Sequence, residues 1–87
     1  MACVDRASET RFTDDGWLEV VHQYLRQEGQ VDLVVDRADH ESIPTILATL
    51  HVNSLDLHGL LFYPRVISVS RLDDQFKFRL ELAEALH

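Results

Sequence analysis

Histidines and carboxylates are the side chains in this sequence with the clearest capacity for chemistry. His40 lies four residues after Asp36, and His51 and His58 follow it. A zinc protease helix needs two histidines four residues apart with a glutamate between them, and a structural zinc site usually needs paired cysteines; the sequence has neither. A metal site would require these four side chains to converge through folding. We therefore predict no metal ligand, and a metal-dependent enzyme is the least favoured hypothesis.

Other catalytic patterns are equally hard to find. Cys3 is the only cysteine, no serine lies in a glycine-flanked elbow, and the three glycines are too far apart to form a phosphate-binding loop. The acidic pairs 14–15 and 73–74 are better explained as a helix N-terminus and a hairpin turn than as acid-base groups. We predict no catalytic residue, no cofactor and no enzymatic activity.

The charge of the chain favours some partners over others. The net charge is −7 with a pI near 5.0, which opposes attraction to nucleic acid or to an anionic membrane and favours a basic protein partner. Residues 1–58 carry the whole excess, with 4 − 11 = −7, whereas residues 59–87 have four acids and four bases. The acidic half is either a docking surface or simply a solvated face. Its candidate binding residues are Asp14, Asp15 and Glu19.

Hydrophobic spacing predicts the first helix and the first strand. Thr13 can cap a helix and Gly29 can end it. Between them the spacing i, i+3, i+4, i+7, i+8 of an amphipathic helix is met by Trp17, Val20, Val21, Tyr24 and Leu25. Residues 31–36 then alternate as in a strand with one buried and one wetter face. One set of positions is Val31, Leu33 and Val35, and the other is Asp32, Val34 and Asp36.

A second helix and a loop come next. Pro44 is tolerated only in the first turn of a helix, so this helix begins near Ser42. Its apolar pattern fades around Val52, and residues 53–59 are predicted to form a loop. One face of the helix is formed by Ile43, Ile46, Leu47 and Leu50.

The last predicted element is a β-hairpin. Residues 60–72 are rich in β-branched and aromatic side chains, Pro64 indicates an edge or a bulge, and residues 73–74 form the turn. With that turn, paired residue numbers sum to 147 and the strands sort into two faces. The apolar face pairs Ile67 with Leu80, Val69 with Phe78 and Arg71 with Phe76. The polar face pairs Val66 with Glu81, Ser68 with Arg79 and Ser70 with Lys77.

These elements define the expected fold. The order α-β-α-β-β predicts a two-layer α+β domain, with both helices on one face of a three-stranded mixed sheet. The first two strands are expected to be parallel and the third antiparallel to the second. Residues 1–12 are predicted to form an arm, either mobile or pinned at one point, before a domain over 13–87. The outward face of the sheet is expected to carry Asp32, Asp36, Ser68, Ser70, Lys77, Arg79 and Glu81.

Two further surfaces are candidates for partner binding. Lys77 and Arg79 lie on the open face of the hairpin, but the aromatic platform of an RNA-binding sheet is missing because Phe76 and Phe78 face inward. The second surface is an unpaired sheet edge with the run 60–63, which cannot all face one small core. Its candidate binding residues are Leu60, Phe62 and Tyr63.

The sequence thus favours a small cytoplasmic protein-binding module of the inhibitor, antitoxin, immunity or adaptor type. The expected partner is another protein, with a basic one suited to the acidic half. The alternative is a self-associating module in which residues 60–63 and the sheet edge pair two copies in a homodimer or a larger assembly. No apolar run reaches the ~20 residues that span a bilayer, which argues against a membrane partner.

Overall fold

Two α-helices and five strands make up residues 8–85, the part of the chain that this computed structural model describes. A 3-10 helix, Arg37–Ser42, also joins the second strand to the second helix. In chain order the elements are β1 Glu9–Arg11, α1 Trp17–Glu28, β2 Gln30–Asp36, α2 Ile43–Val52, β3 Leu55–Leu57, β4 Leu60–Arg71 and β5 Gln75–Glu84.

The strands form one mixed sheet in the order β1-β2-β5-β4-β3. β1 runs parallel to β2, and every other neighbouring pair is antiparallel. The C-terminal strand β5 therefore lies at the centre of the sheet, between β2 and β4. As predicted, β2 and β4 point in the same direction, but they are not neighbours because β5 separates them.

The predicted α+β class is confirmed, whereas the predicted count of three strands is wrong. β1 lies within the stretch assigned to an arm, where Glu9–Arg11 pair with residues 32–34 of β2. β3 lies within the predicted loop, where Leu55–Leu57 pair with residues 60–62 of β4. Both strands have only three residues, which is too short for an alternating pattern to be recognised. Residues 1–7 of the predicted arm lie outside the described residues, as does Cys3.

The hairpin prediction is correct near the turn and wrong beyond a β-bulge. Val69 pairs with Phe78, Arg71 with Phe76, Ser68 with Arg79 and Ser70 with Lys77, as expected. The register shifts between Val66 and Ser68, so Val66 pairs with Leu80, and the predicted pairs Ile67–Leu80 and Val66–Glu81 do not form. Ile67 is the extra residue, which a bulge leaves without a partner across the ladder.

One hydrophobic core lies between the helices and one face of the sheet. Its members come from α1, β2, α2, β3 and β5, so both helices and three of the five strands contribute. The fully buried large side chains are Val21, Leu25, Val31, Leu33, Val35, Ile46, Leu50, Leu55 and Leu80. Of these, Leu55 stands in the stretch that the sequence assigned to a loop.

The second face of the sheet is less open than predicted. Asp32 and Val34 are only 3% and 4% exposed, although their positions on β2 point away from the core. Glu9 and Arg79 flank Asp32 in the register, and long side chains of β1 and β5 likewise flank Val34. β1, which was not predicted from the sequence, places Glu9 and Arg11 beside Asp32 and Val34. Ser68 and Ser70 are exposed as expected.

The first helix begins later than predicted and ends where predicted. Its N-cap is Gly16, with a left-handed backbone at φ 73°, so Thr13 does not cap it and residues 14–15 lie in the preceding turn. Its C-cap is Gly29, also left-handed at φ 80°, whose N–H donates to the carbonyl oxygen of Leu25 at 3.0 Å. The second helix begins at Ile43 with Pro44 in its first turn, which confirms the predicted start.

A Gly29→Ala substitution is expected to lower the free energy of unfolding by about 1 kcal/mol, because a side chain disfavours the left-handed conformation. Steric contact is not the reason, since a Cβ atom at this position would meet nothing within 4 Å. Chemical denaturation would measure the change, with exposed Gln27→Ala as a helix control. A Gly29→Asn variant should lose less, because asparagine tolerates this cap. Equal stability of Gly29→Ala and the parent would contradict the expectation.

Candidate functional site

Exposed large apolar side chains are confined to one side of the molecule. Within the described part of the chain, every one of them lies on α2, on β4 or at the residue after β4, and none lies on α1, β1, β2 or β5. They are Leu47, Val52, Leu60, Leu61, Ile67, Val69 and Leu72. Because α2 packs against β4, these side chains lie on neighbouring elements. Single exposed apolar residues are ordinary, but such a concentration marks an interaction surface.

Helix α2 supplies part of this surface because it is apolar on more than one side. The helix contains no Asp, Glu, Lys or Arg. Ile46 and Leu50 are buried against the sheet, whereas Leu47 is 38% and Val52 is 73% exposed. A helix that is apolar all round is normally covered on all sides. Within residues 8–85 only one side of α2 is covered.

The outer edge of β4 supplies the rest. β3 pairs only with residues 60–62, and no other strand among residues 8–85 pairs with that side of β4, so the edge from Tyr63 to Arg71 carries no partner strand there. Residues 67–71 are exposed without exception, which means that both faces of the strand are uncovered. Val69 pairs with core residue Phe78 and is still 54% exposed, because the helices stop short of this end of the hairpin.

We call the edge of β4 from Tyr63 to Arg71, together with the seven exposed apolar side chains given above, the β4 flank. Natural sheets protect edges with prolines, bulges and charges. The β4 flank has each of these in small measure, namely Pro64, the bulge at Ile67, and the arginines at 65 and 71. From Ser68 to Arg71 the edge is unbroken by proline or bulge.

The β4 flank also differs in charge from the rest of the molecule. Residues 57–72 contain no Asp or Glu, in a chain with fifteen acids. Arg65 lies 3.8 Å from a Glu81 oxygen and has a side chain that is 56% exposed, so that ion pair is weak. The acidity of the chain is therefore carried by other surfaces.

The predicted binding residues fall into three separate groups. Asp14, Asp15 and Glu19 are exposed at the start of α1, which packs on β1 and β2. Towards the opposite edge of the sheet, Leu60 is exposed on β4, whereas Phe62 and Tyr63 are half-buried. The structure does not bring these two groups together. Leu47 and Val69 were not among the predicted binding residues, although the absence of charge in α2 was a usable signal.

The third group, Lys77 and Arg79, is engaged within the chain. The Nζ atom of Lys77 lies 2.8 Å from a Glu9 oxygen. Arg79 donates to both carboxylate oxygens of Asp32, at 3.0 Å from Nε and 3.2 Å from Nη2. Arg11 makes a single contact with Asp36, at 3.3 Å. These cations are matched by carboxylates on other strands of the sheet, so this face offers little uncompensated positive charge to a phosphate backbone.

An open cleft lies near the β3 end of the sheet. It has a volume of about 710 Å³, and its lining residues are His51, Ser54, Tyr63, Arg65, Ala83, Glu84 and Ala85. The rings of His51 and Tyr63 meet edge to face with centroids 5.3 Å apart. The lining mixes hydrogen-bond donors, hydrogen-bond acceptors and alanines. The cleft adjoins the β4 flank through Tyr63 and Arg65.

The histidines do not form a metal site within residues 8–85. No group of three or more His, Cys, Asp or Glu side chains in that range is placed to hold an ion, so His40, His51, His58 and Asp36 do not converge. None of the helices in the same range has the length and apolar character needed to cross a bilayer.

His22 is a half-buried titratable group between the two helices. Burial lowers its pKa from the usual value, the nearby Arg26 guanidinium lowers it further, and a hydrogen bond to the backbone of Asn53 acts in the opposite direction. The native state therefore favours the neutral ring. Glu19 and Gln23 are the other polar side chains around it.

The lowered pKa of His22 predicts an acid-sensitive stability. Between the native pKa and the unfolded value of 6.5, the unfolded chain binds more protons than the native chain, so the free energy of unfolding falls as pH decreases through this window. Denaturation across that window would measure the free energy of unfolding of the parent and of His22→Gln. The fall that His22 causes should be absent from the variant. Arg26→Gln should reduce the slope without removing it. Identical slopes for the parent and His22→Gln would contradict the assignment.

Comparison with known proteins gives no relative from which a function can be transferred. No family model, no curated protein and no solved structure matches this chain.

Proposed function

We propose that this chain acts by binding another polypeptide, and that the β4 flank is the contact surface. The supporting observation is that the exposed large apolar side chains of residues 8–85 lie on β4, which carries the unpaired edge, on the residue that follows it, and on the adjacent helix α2. An extended segment can add to such an edge through main-chain hydrogen bonds, while apolar side chains on both sides supply hydrophobic contact.

Binding of this kind is the mode of action of inhibitors, antitoxins, immunity proteins and adaptors, the classes that size and acidity favour. The acidic group Asp14, Asp15 and Glu19 would then act on the rate and selectivity of encounter rather than as the main contact, because exposed charges contribute little affinity. A cytoplasmic location is part of this proposal, since the sequence has one cysteine and no pair for an internal disulfide.

The test compares three tagged proteins as bait in extracts of the source cells. Val69→Lys places a charge on the β4 flank at a side chain that is already 54% exposed, so the fold should survive. Gln27→Lys adds the same charge on exposed α1 and is the control. We expect a polypeptide, an untagged copy of this chain included, to be retained by the parent and by Gln27→Lys and lost by Val69→Lys. Equal retention by all three, or by none, would overturn the proposal.

A further inference from the structure

We propose that the polypeptide bound at the β4 flank is a second copy of this chain, paired edge to edge about a two-fold axis. This inference rests on the proposed function and names its partner. In the resulting dimer the two β4 strands run antiparallel, the two sheets join into one, and the two α2 helices lie side by side above the junction.

The β4 flank has a composition that can meet a copy of itself. A two-fold interface brings the same patch of both copies together, so the patch must tolerate its own composition. Here α2 has no charged residue and exposes Leu47 and Val52, so two α2 helices can meet without burying a charge. Homodimer interfaces are more apolar than transient ones and are depleted of charge at their centre.

Electrostatic repulsion limits where two copies of this chain can meet. Two copies with a charge of −7 each repel one another over most of their surfaces. The β4 flank is where this repulsion is weakest, because residues 57–72 contain no acid. Its two arginines, Arg65 and Arg71, are the same sign in both copies, so their positions across the junction matter.

The bulge removes that conflict. Arg65 lies opposite Glu81 on the outer face of the sheet, whereas Arg71 lies opposite Phe76, which packs against the core, because the extra residue Ile67 reverses the alternation of faces along β4. Residues directly opposite each other in an antiparallel pair have their side chains on the same face, so Arg65 of one copy and Arg71 of the other do not face each other. Two copies can therefore pair with the axis near the middle of the edge, close to Ile67, without placing these like charges directly opposite.

The unpaired edge is also long enough to form an extended contact. Nine residues of strand are about 30 Å long, and seven exposed large apolar side chains lie on β4, on the residue after it or on α2.

The first experiment measures the mass in solution by light scattering over a range of concentrations. The chain has a mass of 10.0 kDa, so the dimer should have twice that mass. We expect a dimer for the parent and for Gln27→Lys, and a monomer with unchanged circular dichroism for Val69→Lys and Leu47→Lys. A parent that stays monomeric at every concentration, or a dimer that both β4-flank variants leave intact, would overturn the inference.

The second experiment locates the junction by disulfide formation in a Cys3→Ser background, which leaves each variant a single introduced cysteine. Cross-linking under mild oxidation should be strong for Ile67→Cys, near the middle of the edge, and absent for Gln27→Cys on α1. Cross-linking of Gln27→Cys as strong as that of Ile67→Cys, or no cross-linking of Ile67→Cys, would overturn the inference.

Failure of this inference is distinguishable from failure of the proposed function. If the parent is a monomer and its bait retains a different polypeptide that Val69→Lys loses, the partner is not a second copy and the proposed function stands. An acidic extended segment drawn to Arg65 and Arg71 would give that result. If the parent is a monomer and retains nothing that Val69→Lys loses, both proposals fail.

Discussion

A Leu55→Ala variant is expected to lose about 2–4 kcal/mol of unfolding free energy, because truncation of a buried leucine removes apolar burial and leaves a cavity. Leu55 is 1% exposed and belongs to the core, although it lies in a strand of only three residues at the sheet edge. Domains of this size have about 5–10 kcal/mol in total. The variant should therefore melt well below the parent.

Urea denaturation measures this loss, and Leu61→Ala is the matched control. Leu61 lies on the same pair of strands, opposite Asp56, and is 43% exposed. Both substitutions would be made in the Val69→Lys background, so that self-association does not contribute to the measured stability. A loss for Leu61→Ala as large as that for Leu55→Ala would show that β3 does not hold Leu55 in the core.

The second large effect is expected for Arg79→Ala, which should cost about 2–3 kcal/mol. The substitution leaves the Asp32 carboxylate, 5% exposed, without its bidentate partner. Removal of one member of a buried pair generally costs about 3–5 kcal/mol. We expect less here because the Arg79 side chain is 40% exposed and water can enter the space it vacates.

Two further variants separate this effect from general loss of charge. Lys77→Ala removes an ion pair whose two side chains are 31% and 49% exposed, and the change in stability should be much smaller. Joint replacement of Asp32 and Arg79 by leucine should recover most of the loss, because no buried charge is then left unpaired. A double variant as unstable as Arg79→Ala would show that Asp32 is not the origin of the effect.

The elements that the sequence predicted are those specified by local patterns. The periodicity of α1, the proline at the start of α2 and the alternation of β2 each lie within one element, so no tertiary information was needed. The three-residue strands β1 and β3 exist because a neighbouring strand is present. The bulge at Ile67 places Val66 opposite Leu80. A prediction that gives every residue pair the same sum of numbers has no place for such an extra residue.

The candidate surface was predictable in part for the same reason. Residues 60–63 stood out as too many large apolar side chains in sequence, and Leu60 and Leu61 are indeed exposed. Val69 lies opposite the core residue Phe78, on the face of β4 that points towards the helices. It is exposed because no helix covers its end of the hairpin. Exposure of this kind depends on the length and position of the opposite layer, which local sequence does not encode.

The central position of β5 has a consequence for how the chain folds. The β4–β5 hairpin closes across a two-residue turn, whereas β2 reaches β5 across separations of 39 residues, at Asp36 and Gln75, to 51 residues, at Gln30 and Glu81. Because loop closure costs conformational entropy before distant contacts repay it, the hairpin should form early and β2 should dock late. Pulse-labelled amides of residues 68–79 would then gain protection before those of β2. Until β2 docks, β5 has an unpaired edge in addition to the unpaired edge of β4. The chain is therefore most prone to mispairing in that interval.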